Sequence, residues 1–437
     1  MEHALSLHNN DKGKVLVLGA GLAGLSSAAY LVKSGFNVTI FESSGKAGGR
    51  AYSFTDKDTD EIIDNGQHIL MGCYDYTLRF FDIIGAGSKF NRQDKLTVNF
   101  VKPGFNMLPL KAISSLYPVN LLIGLLNYKA ITLPERLGLL KVFLKLMFYS
   151  SRDLEKLTVD EWLNREEQSG KIKKAFWEII AVGALNADIT KASAALFVYI
   201  LKQIFIGGNK AASIVLPQLG LSESYCNDAL QFIKNSGSTI SFYETVTGVK
   251  SSGSRITEVQ TSKRTIKDFN YVVSALPLYA LKRVLPEHNE FSLPELEYSS
   301  ILTLHIWLKE NRLEEKFYGL IDSPVHWVFN HGRYVTLVIS SADSLISKSK
   351  EDLFDLCSRE LELYLNIKKE DVAGYKVIKE KRATFVPSND VLKKRPGTLT
   401  PYNNFFLAGD WTDTKLPATI EGAVKSGKLA SDYIINK

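Results

Sequence analysis

The 437-residue chain is 45% hydrophobic and 23% charged, the balance of a folded globular protein rather than a disordered or fibrous one, and its length predicts two or three domains. Fifty-three Lys and Arg against 47 Asp and Glu leave a net charge of +6; with no basic cluster or binding motif this excludes a dedicated nucleic-acid binder but suits an anionic membrane surface. Cys73, Cys226 and Cys357 form no CxxC pair and the seven histidines show no HxH or HExxH spacing, so neither a disulfide framework nor a metal site is indicated, and a reducing cytosol fits.

In chain order, the first dozen residues, MEHALSLHNNDK, lack the apolar core of a signal peptide and are expected to fray, implying a cytoplasmic protein. Lys14 to Leu18, KVLVL, reads as a parallel strand buried on both faces. The turn GAGLAG, Gly19-Ala20-Gly21-Leu22-Ala23-Gly24, follows it, then a helix that Gly35 can end, then a second strand from Val38 to Phe41. In such a βαβ unit Gly19 permits the tight turn, Gly21 the approach of a pyrophosphate to the backbone, and Gly24 close packing of helix on strand. Glu42, eighteen residues beyond Gly24, stands where an acid accepts hydrogen bonds from an adenosine ribose, and its charge disfavours the 2′-phosphate of NADP.

The next segment, SSGKAGGR with Gly48, Gly49 and Arg50, resembles the FAD-dependent amine oxidase and phytoene desaturase superfamily. The resemblance implies FAD, with this glycine pair along the pyrophosphate. The segment from Ile62 to Gly85, IIDNGQHILMGCYDYTLRFFDIIG, is similar to the hydroxysqualene dehydroxylases of hopanoid synthesis, and ALNADITKASAALF at 184–197 and LPQLGLSESYCNDALQFI at 216–233 extend the likeness over nearly the whole chain. Gln218 departs from the arginine expected there.

Between residues 76 and 214 helical periodicity and aromatics dominate. Residues 117–150 mix Leu, Ile and Phe with Lys129, Arg136, Lys141 and Lys145; they are too broken by charge and proline to span a bilayer. They read either as basic amphipathic helices for a membrane interface or as helices capping the domain in solution. Thr245 to Lys250 and Arg255 to Thr261, joined by SSGS, read as a hairpin; the resemblance makes them a meander over the dinucleotide fold, with a backbone contact near Val246 to adenine. Ser299 to Trp307, Tyr334 to Ser340 and Tyr375 to Pro387 read as strands of a substrate-binding half.

The far end, FFLAGDWTDTKLPATIEGAVKSGKLAS at 405–431, offers a buried strand, then Gly409 and Asp410, which the resemblance places at the ribityl chain or pyrophosphate. A helix beginning around Thr419 and Ile420 would point its N-terminus at the flavin pyrimidine edge. The expected fold is therefore α/β: a discontinuous Rossmann-like FAD-binding domain (1–75, 215–282, 385–437) and an α+β substrate domain of mixed sheet and helices (76–214, 283–384).

The reaction implied is reductive dehydroxylation of hydroxysqualene, with ionisation of an allylic alcohol and hydride capture, at the inner face of the cytoplasmic membrane. The same fold serves oxidative desaturation of a carotenoid-like polyene, amine oxidation, and non-catalytic prenyl binding. Asp64 and His68 are the acid candidates, each with a structural alternative: Asp64 as a turn cap before Gly66, His68 as a histidine satisfying a backbone carbonyl. The sequence leaves the electron donor of the flavin open.

Overall fold

The computed structural model of the protein describes residues 12–168, 170–285 and 292–437; residues 1–11, most of the expected frayed terminus, lie outside them. The strand Lys14–Leu18, with four of its five residues buried, runs at the centre of a five-stranded parallel sheet. Its neighbours are Asn37–Phe41 and then Thr239–Ser241 on one side, Tyr271–Ser274 and then Phe405–Leu407 on the other. Val17 pairs with both Ile40 and Val273. Apolar runs without alternation follow from this placement, because both faces of the sheet are covered.

One face carries the helix Leu22–Lys33, buried except at its last residue, and the helix Ile420–Ile435. The two ends of the chain meet here through backbone contact. A Cβ on Gly427 would stand 2.2 Å from both the Ala23 carbonyl oxygen and Ser26 Oγ, and Ser26 Oγ donates to the Val424 carbonyl at 3.2 Å. The opposite face carries the expected meander, Val246–Ser252, Arg255–Thr261 and Thr265–Ile266, whose Val246, Val249, Ile256 and Val259 pack on Leu16, Leu18 and Phe41.

The second half is a seven-stranded mixed sheet in the order Val372–Phe385, Tyr298–Leu308, Tyr334–Ser340, Trp327–Asn330, Phe317–Leu320, Thr97–Lys102, Asn106–Lys111. The three strands expected from sequence are its first three members. The longest ends at Phe385, ahead of Pro387, which has no N–H for a ladder. Strand alternation divides the side chains. Leu302, Leu304, Ile306, Val335 and Leu337 pack beneath the helix Lys350–Leu365, while Phe100, Phe317, Phe329 and Val338 face the helical segments between 119 and 206. Those helices close on stacked and edge-on rings: Trp177 lies 5.0 Å from Phe176, 5.8 Å from Phe143 and 5.6 Å from Trp162. Among the described residues no helix is long and apolar enough to cross a membrane.

The crossing at Gly427 has no room for a side chain. Gly427→Val should destabilise the protein by about 1–3 kcal/mol through overpacking, read as a lowered Tm, whereas Gly397→Ala, with nothing within 4 Å of the added Cβ, should leave Tm unchanged.

Candidate functional site

The glycine turn, the 48–50 loop and the 409–416 segment converge at the C-terminal edge of the parallel sheet, where such sheets bind ligands. Gly19 has φ +103° and receives the helix behind it: a Cβ on Gly24 would lie 2.0 Å from the Gly19 carbonyl oxygen. Gly21 caps the helix Leu22–Lys33, whose first turn has no side-chain cap and no acidic residue, so its N–H groups are left to an anion. Gly49, at φ +62°, lies directly against this turn, and a Cβ on it would stand 3.1 Å from Gly21 Cα. The Gly48 N–H donates to the Ala20 carbonyl at 2.9 Å, and the Ala20 N–H donates to Glu42 Oε2 at 2.9 Å. Ala20 thus fixes the glycine pair and the acid together. Ala23 is buried and its carbonyl faces Gly427.

Glu42 Oε1 accepts the Ser44 N–H at 2.8 Å, and the Glu42 carbonyl accepts the Glu244 N–H at 2.9 Å. This contact brings the meander, with buried Val246 two residues on, behind the acid. Arg50 closes the other side. Its Nη2 donates to Asp410 Oδ1 at 2.6 Å and its Nη1 to the Ala383 carbonyl at 2.6 Å, so the loop after the second strand is tied to both the last sheet strand of the substrate half and the far end of the chain. Gly409, at φ +138°, donates its N–H to Ser426 Oγ at 2.7 Å. Thr419 Oγ1 accepts the Gly422 N–H at 3.1 Å as the N-cap of the helix that opens with buried Ile420.

Two residues that organise this site were not singled out by sequence reasoning. Asn65 clasps the 50–52 segment by three bonds: its Nδ2 donates to the Arg50 carbonyl at 2.8 Å, its Oδ1 accepts the Tyr52 N–H at 3.0 Å, and its own N–H donates to the Tyr52 carbonyl at 3.0 Å. Arg395, buried, donates to the carbonyls of Asp410 at 2.8 Å, Leu416 at 2.7 Å, Trp411 at 3.3 Å and Thr412. It braces the segment between Asp410 and the cap at Thr419. Burial without a carboxylate in contact pushes its guanidinium down to about 10. The signal for Asn65 was present inside DNGQH; nothing in KKRPG distinguishes Arg395 from a surface charge.

The two acid candidates face different surroundings. Asp64 Oδ1 accepts the Ser53 hydroxyl at 2.7 Å and the Leu221 N–H at 2.9 Å, and the Asp64 carbonyl accepts His305 Nε2–H at 2.9 Å while His305 Nδ1 meets Thr336 Oγ1 at 2.9 Å. Among the described residues nothing donates to its Oδ2. Burial raises the Asp64 carboxyl to about 6. The residue lines a cavity of about 600 Å3 with Gln67, Arg92, Gln93, His331 and Tyr334. His68 makes no side-chain hydrogen bond among the described residues, and burial together with the Arg50 charge lowers it to about 4.

A second cavity, of about 250 Å3, runs between the inner face of the seven-stranded sheet and the helices, lined by Val98, Phe100, Ile179, Tyr199, Phe205 and Trp327 and reaching Pro417 and Thr419. Five of the titratable groups in its wall, which also carries Asp75 and Tyr76, shift toward their uncharged forms. Burial raises Cys73 to about 12, raises Tyr74, Tyr199 and Glu421, and lowers Lys425. Phe317, on the wall of the larger cavity, lies 6.1 Å from Trp327 on the wall of the smaller. The two spaces therefore share one aromatic ridge.

The profile of the family described as Flavin containing amine oxidoreductase matches residues 22–435. The chain is 27% identical to the hydroxysqualene dehydroxylase of Zymomonas mobilis over 423 residues, 96% of this chain and 98% of that protein. It is 26% identical to the 15-cis-phytoene desaturase of an Oncidium hybrid cultivar over 468 residues, 97% of this chain and 78% of that protein. In fold it matches the cyclohexylamine oxidase of Brevibacterium oxydans with a TM-score of 0.70 at 15% identity, covering 97% of this chain and 99% of that one.

His68, His305 and His326 are each held near 4 by burial, against an ordinary 6.5. The stability this represents is complete above pH 6.5 and is withdrawn as pH falls toward 4. Asp64, raised to about 6 from 3.8, acts in the opposite sense, its contribution growing as pH falls below 6, and Glu178 and Glu421, also raised by burial, act with it. The histidines titrate over the whole interval and the lowered Asp56 and Glu244 act with them, so between pH 7 and pH 4.5 the Tm should fall by on the order of 5 °C, and a flat profile would refute this account.

Proposed function

The chain belongs to the flavin containing amine oxidoreductase family, a family of FAD-dependent oxidoreductases, and from that premise we propose that it acts on a long isoprenoid, reducing hydroxysqualene to squalene. The observation that carries the substrate class is the cavity beneath Thr419, whose wall is mostly apolar and where burial disfavours the charged forms of Cys73, Glu421 and Lys425. Such a wall stabilises hydrocarbon. The 27% identity to a dehydroxylase along 98% of its length supports dehydroxylation; a 15-cis-phytoene desaturase of Synechococcus elongatus matches at 25% identity along 96% of its own length, so coverage does not separate the two reactions.

FAD suits the residues assembled here: the uncapped helix after Gly21 and the backbone of Gly48 and Gly49 for the pyrophosphate, Glu42 for the ribose, Val246 beside the adenine, and Arg50, Gly409, Asp410, Thr419 and Ile420 along the remainder. When bound and reduced, FAD supplies the hydride. The protein's own tasks are to keep water from the ionising carbon and to give a proton to the departing hydroxyl. The apolar wall does the first. For the second, Asp64 is the better donor, because its carboxyl keeps a proton closer to neutrality and its Oδ2 is uncommitted. His68, held neutral by burial and the Arg50 charge, is the poorer proton donor. A peripheral contact with the bilayer through 117–150 belongs to the same reading.

Anaerobic incubation of the reduced enzyme with hydroxysqualene should yield squalene; reoxidation of the flavin without squalene, or no reaction, would overturn dehydroxylation, and oxidation of a polyene by the oxidised enzyme would favour desaturation. Asp64→Asn keeps an acceptor for Ser53 and Leu221 while removing the proton, and should lower kcat by roughly 10²–10⁴-fold with FAD still bound. In the unsubstituted enzyme kcat should decline as pH rises through about 6, whereas His68→Gln should change it less than about tenfold and keep the pH profile.

A further inference from the structure

The helix Leu133–Lys145 and the turn Leu146–Phe148 carry apolar side chains on two faces. Leu139, Val142, Phe143 and Leu146 are buried, but Leu133, Leu137, Leu144 and Phe148, spaced by four, seven and four residues, form a second stripe that is exposed. Amphipathic patterning needs only the first stripe. Phe148 is 85% exposed, and Leu116, in the loop before the helix Val119–Leu126, is 84% exposed. Contacts gather these elements at one corner. The Tyr117 hydroxyl donates to the Phe205 carbonyl, Phe143 meets the Phe205 ring edge-on at 4.8 Å, and Lys202 Nζ donates to the Tyr149 carbonyl at 3.0 Å. Ile206, next to Phe205, is exposed as well.

Charge is arranged around the same corner. Residues 111–156 hold seven basic side chains against three acidic, a net +4 out of the +6 of the whole chain. The four basic residues of the amphipathic reading divide. Arg136 donates to the carbonyls of Leu126 and Ile131 and Lys145 pairs with Glu166, while Lys129 and Lys141 are exposed, as are Lys111, Arg152 and Lys156. Lys141 follows Leu137 by four residues and precedes Leu144 by three, so it lies on the exposed apolar stripe, where a long side chain can lie along hydrocarbon and keep its ammonium among headgroups. Phe205, at the centre of the corner, also lines the apolar cavity.

We propose that this corner, Leu116 and Val119 with Leu137, Leu144, Met147 and Phe148, inserts into an anionic bilayer and forms the portal by which a lipophilic substrate passes at Phe205 into the cavity. The proposal rests on the reading of that cavity as an isoprenoid site and adds its source and route. Buried apolar area and attraction of basic residues to anionic headgroups act together at such a surface, and the exposed apolar stripe among basic side chains matches both. An aqueous route would instead expose the substrate's entire hydrocarbon to water.

The test uses the full-length holoprotein with vesicles of phosphatidylcholine alone or with phosphatidylglycerol at one third. Co-sedimentation is expected with the anionic vesicles, weakened at least tenfold by the double substitution Leu116→Asp, Phe148→Asp and by raised salt. Both positions are exposed, so folding and the flavin spectrum should be unchanged, as should turnover of substrate presented in detergent micelles. Absence of binding to anionic vesicles, equal binding by the double variant, or a dimer in solution that the double variant dissolves, would each overturn the portal. Should binding behave as expected while no squalene forms, the assigned reaction fails and the membrane surface stands.

Discussion

Arg50 links the 48–50 loop to both the far end of the chain and the last sheet strand of the substrate half. It leaves the loop after the second strand, donates to Asp410 360 residues later and to Ala383 at the end of the longest strand of the substrate half. Asp410 is buried, and a buried carboxylate deprived of its partner is costly. The pair therefore holds the 48–50 loop against the far end of the chain only while both halves are folded. Asn65 clasps the backbone of Arg50 and Tyr52, and Arg395 fixes the carbonyls from Asp410 to Leu416, so each end of the ion pair has its own brace. The crossing of the first and last helices at Gly427 supplies the same closure through packing.

How much of this was legible in the sequence follows the physics of each element. The glycine turn, Glu42 and the second glycine pair were readable because a pyrophosphate constrains local backbone: φ beyond the reach of most residues at Gly19 and Gly49, and no space for a Cβ at Gly24. The strands at 14–18, 298–308 and 334–340 were readable from apolar runs, since sheet burial imposes composition. Arg395 was not, because its partners are backbone carbonyls and carry no side-chain signature. Asp64 and Asn65 were visible as a motif, yet their division of labour depends on Ser53, Tyr52 and Leu221, and distance in sequence hides it. The basic residues of 117–150 were counted as one face, whereas Arg136 and Lys145 have internal partners. Those internal partners set them apart from the exposed Lys129 and Lys141.

The seven-stranded sheet gives its two faces to different work. The face under Lys350–Leu365 is closed by Leu and Val and is purely structural. The opposite face carries Phe100, Phe317, Trp327 and Phe329, and it is roofed by helices that leave space between. Large rigid rings hold such a space open: Trp327 lies 6.1 Å from Phe317 and 6.2 Å from Phe100, and neither neighbour can collapse into the gap as a flexible aliphatic side chain would. The ridge that Phe317 and Trp327 form between the two cavities is thus a property of the strand pairing that sets Gly319 opposite Trp327.

Burial acts on Asp64 and His68 in opposite directions and to one end. Removing water penalises a carboxylate and an imidazolium alike, so the carboxyl rises and the imidazole falls, and both move toward neutrality. Cys73, Glu421 and Lys425 follow the same rule on the wall of the apolar cavity. A site built for a charged substrate would keep a counter-charge desolvated and paired. Here the paired charges, Arg50 and Asp410, close the nucleotide side, and the cavity beyond Thr419 has a mostly apolar wall. That division sets the nucleotide side apart from the apolar cavity and leaves Asp64, on the wall of the larger cavity, as the acid on which the proposed dehydroxylation would draw.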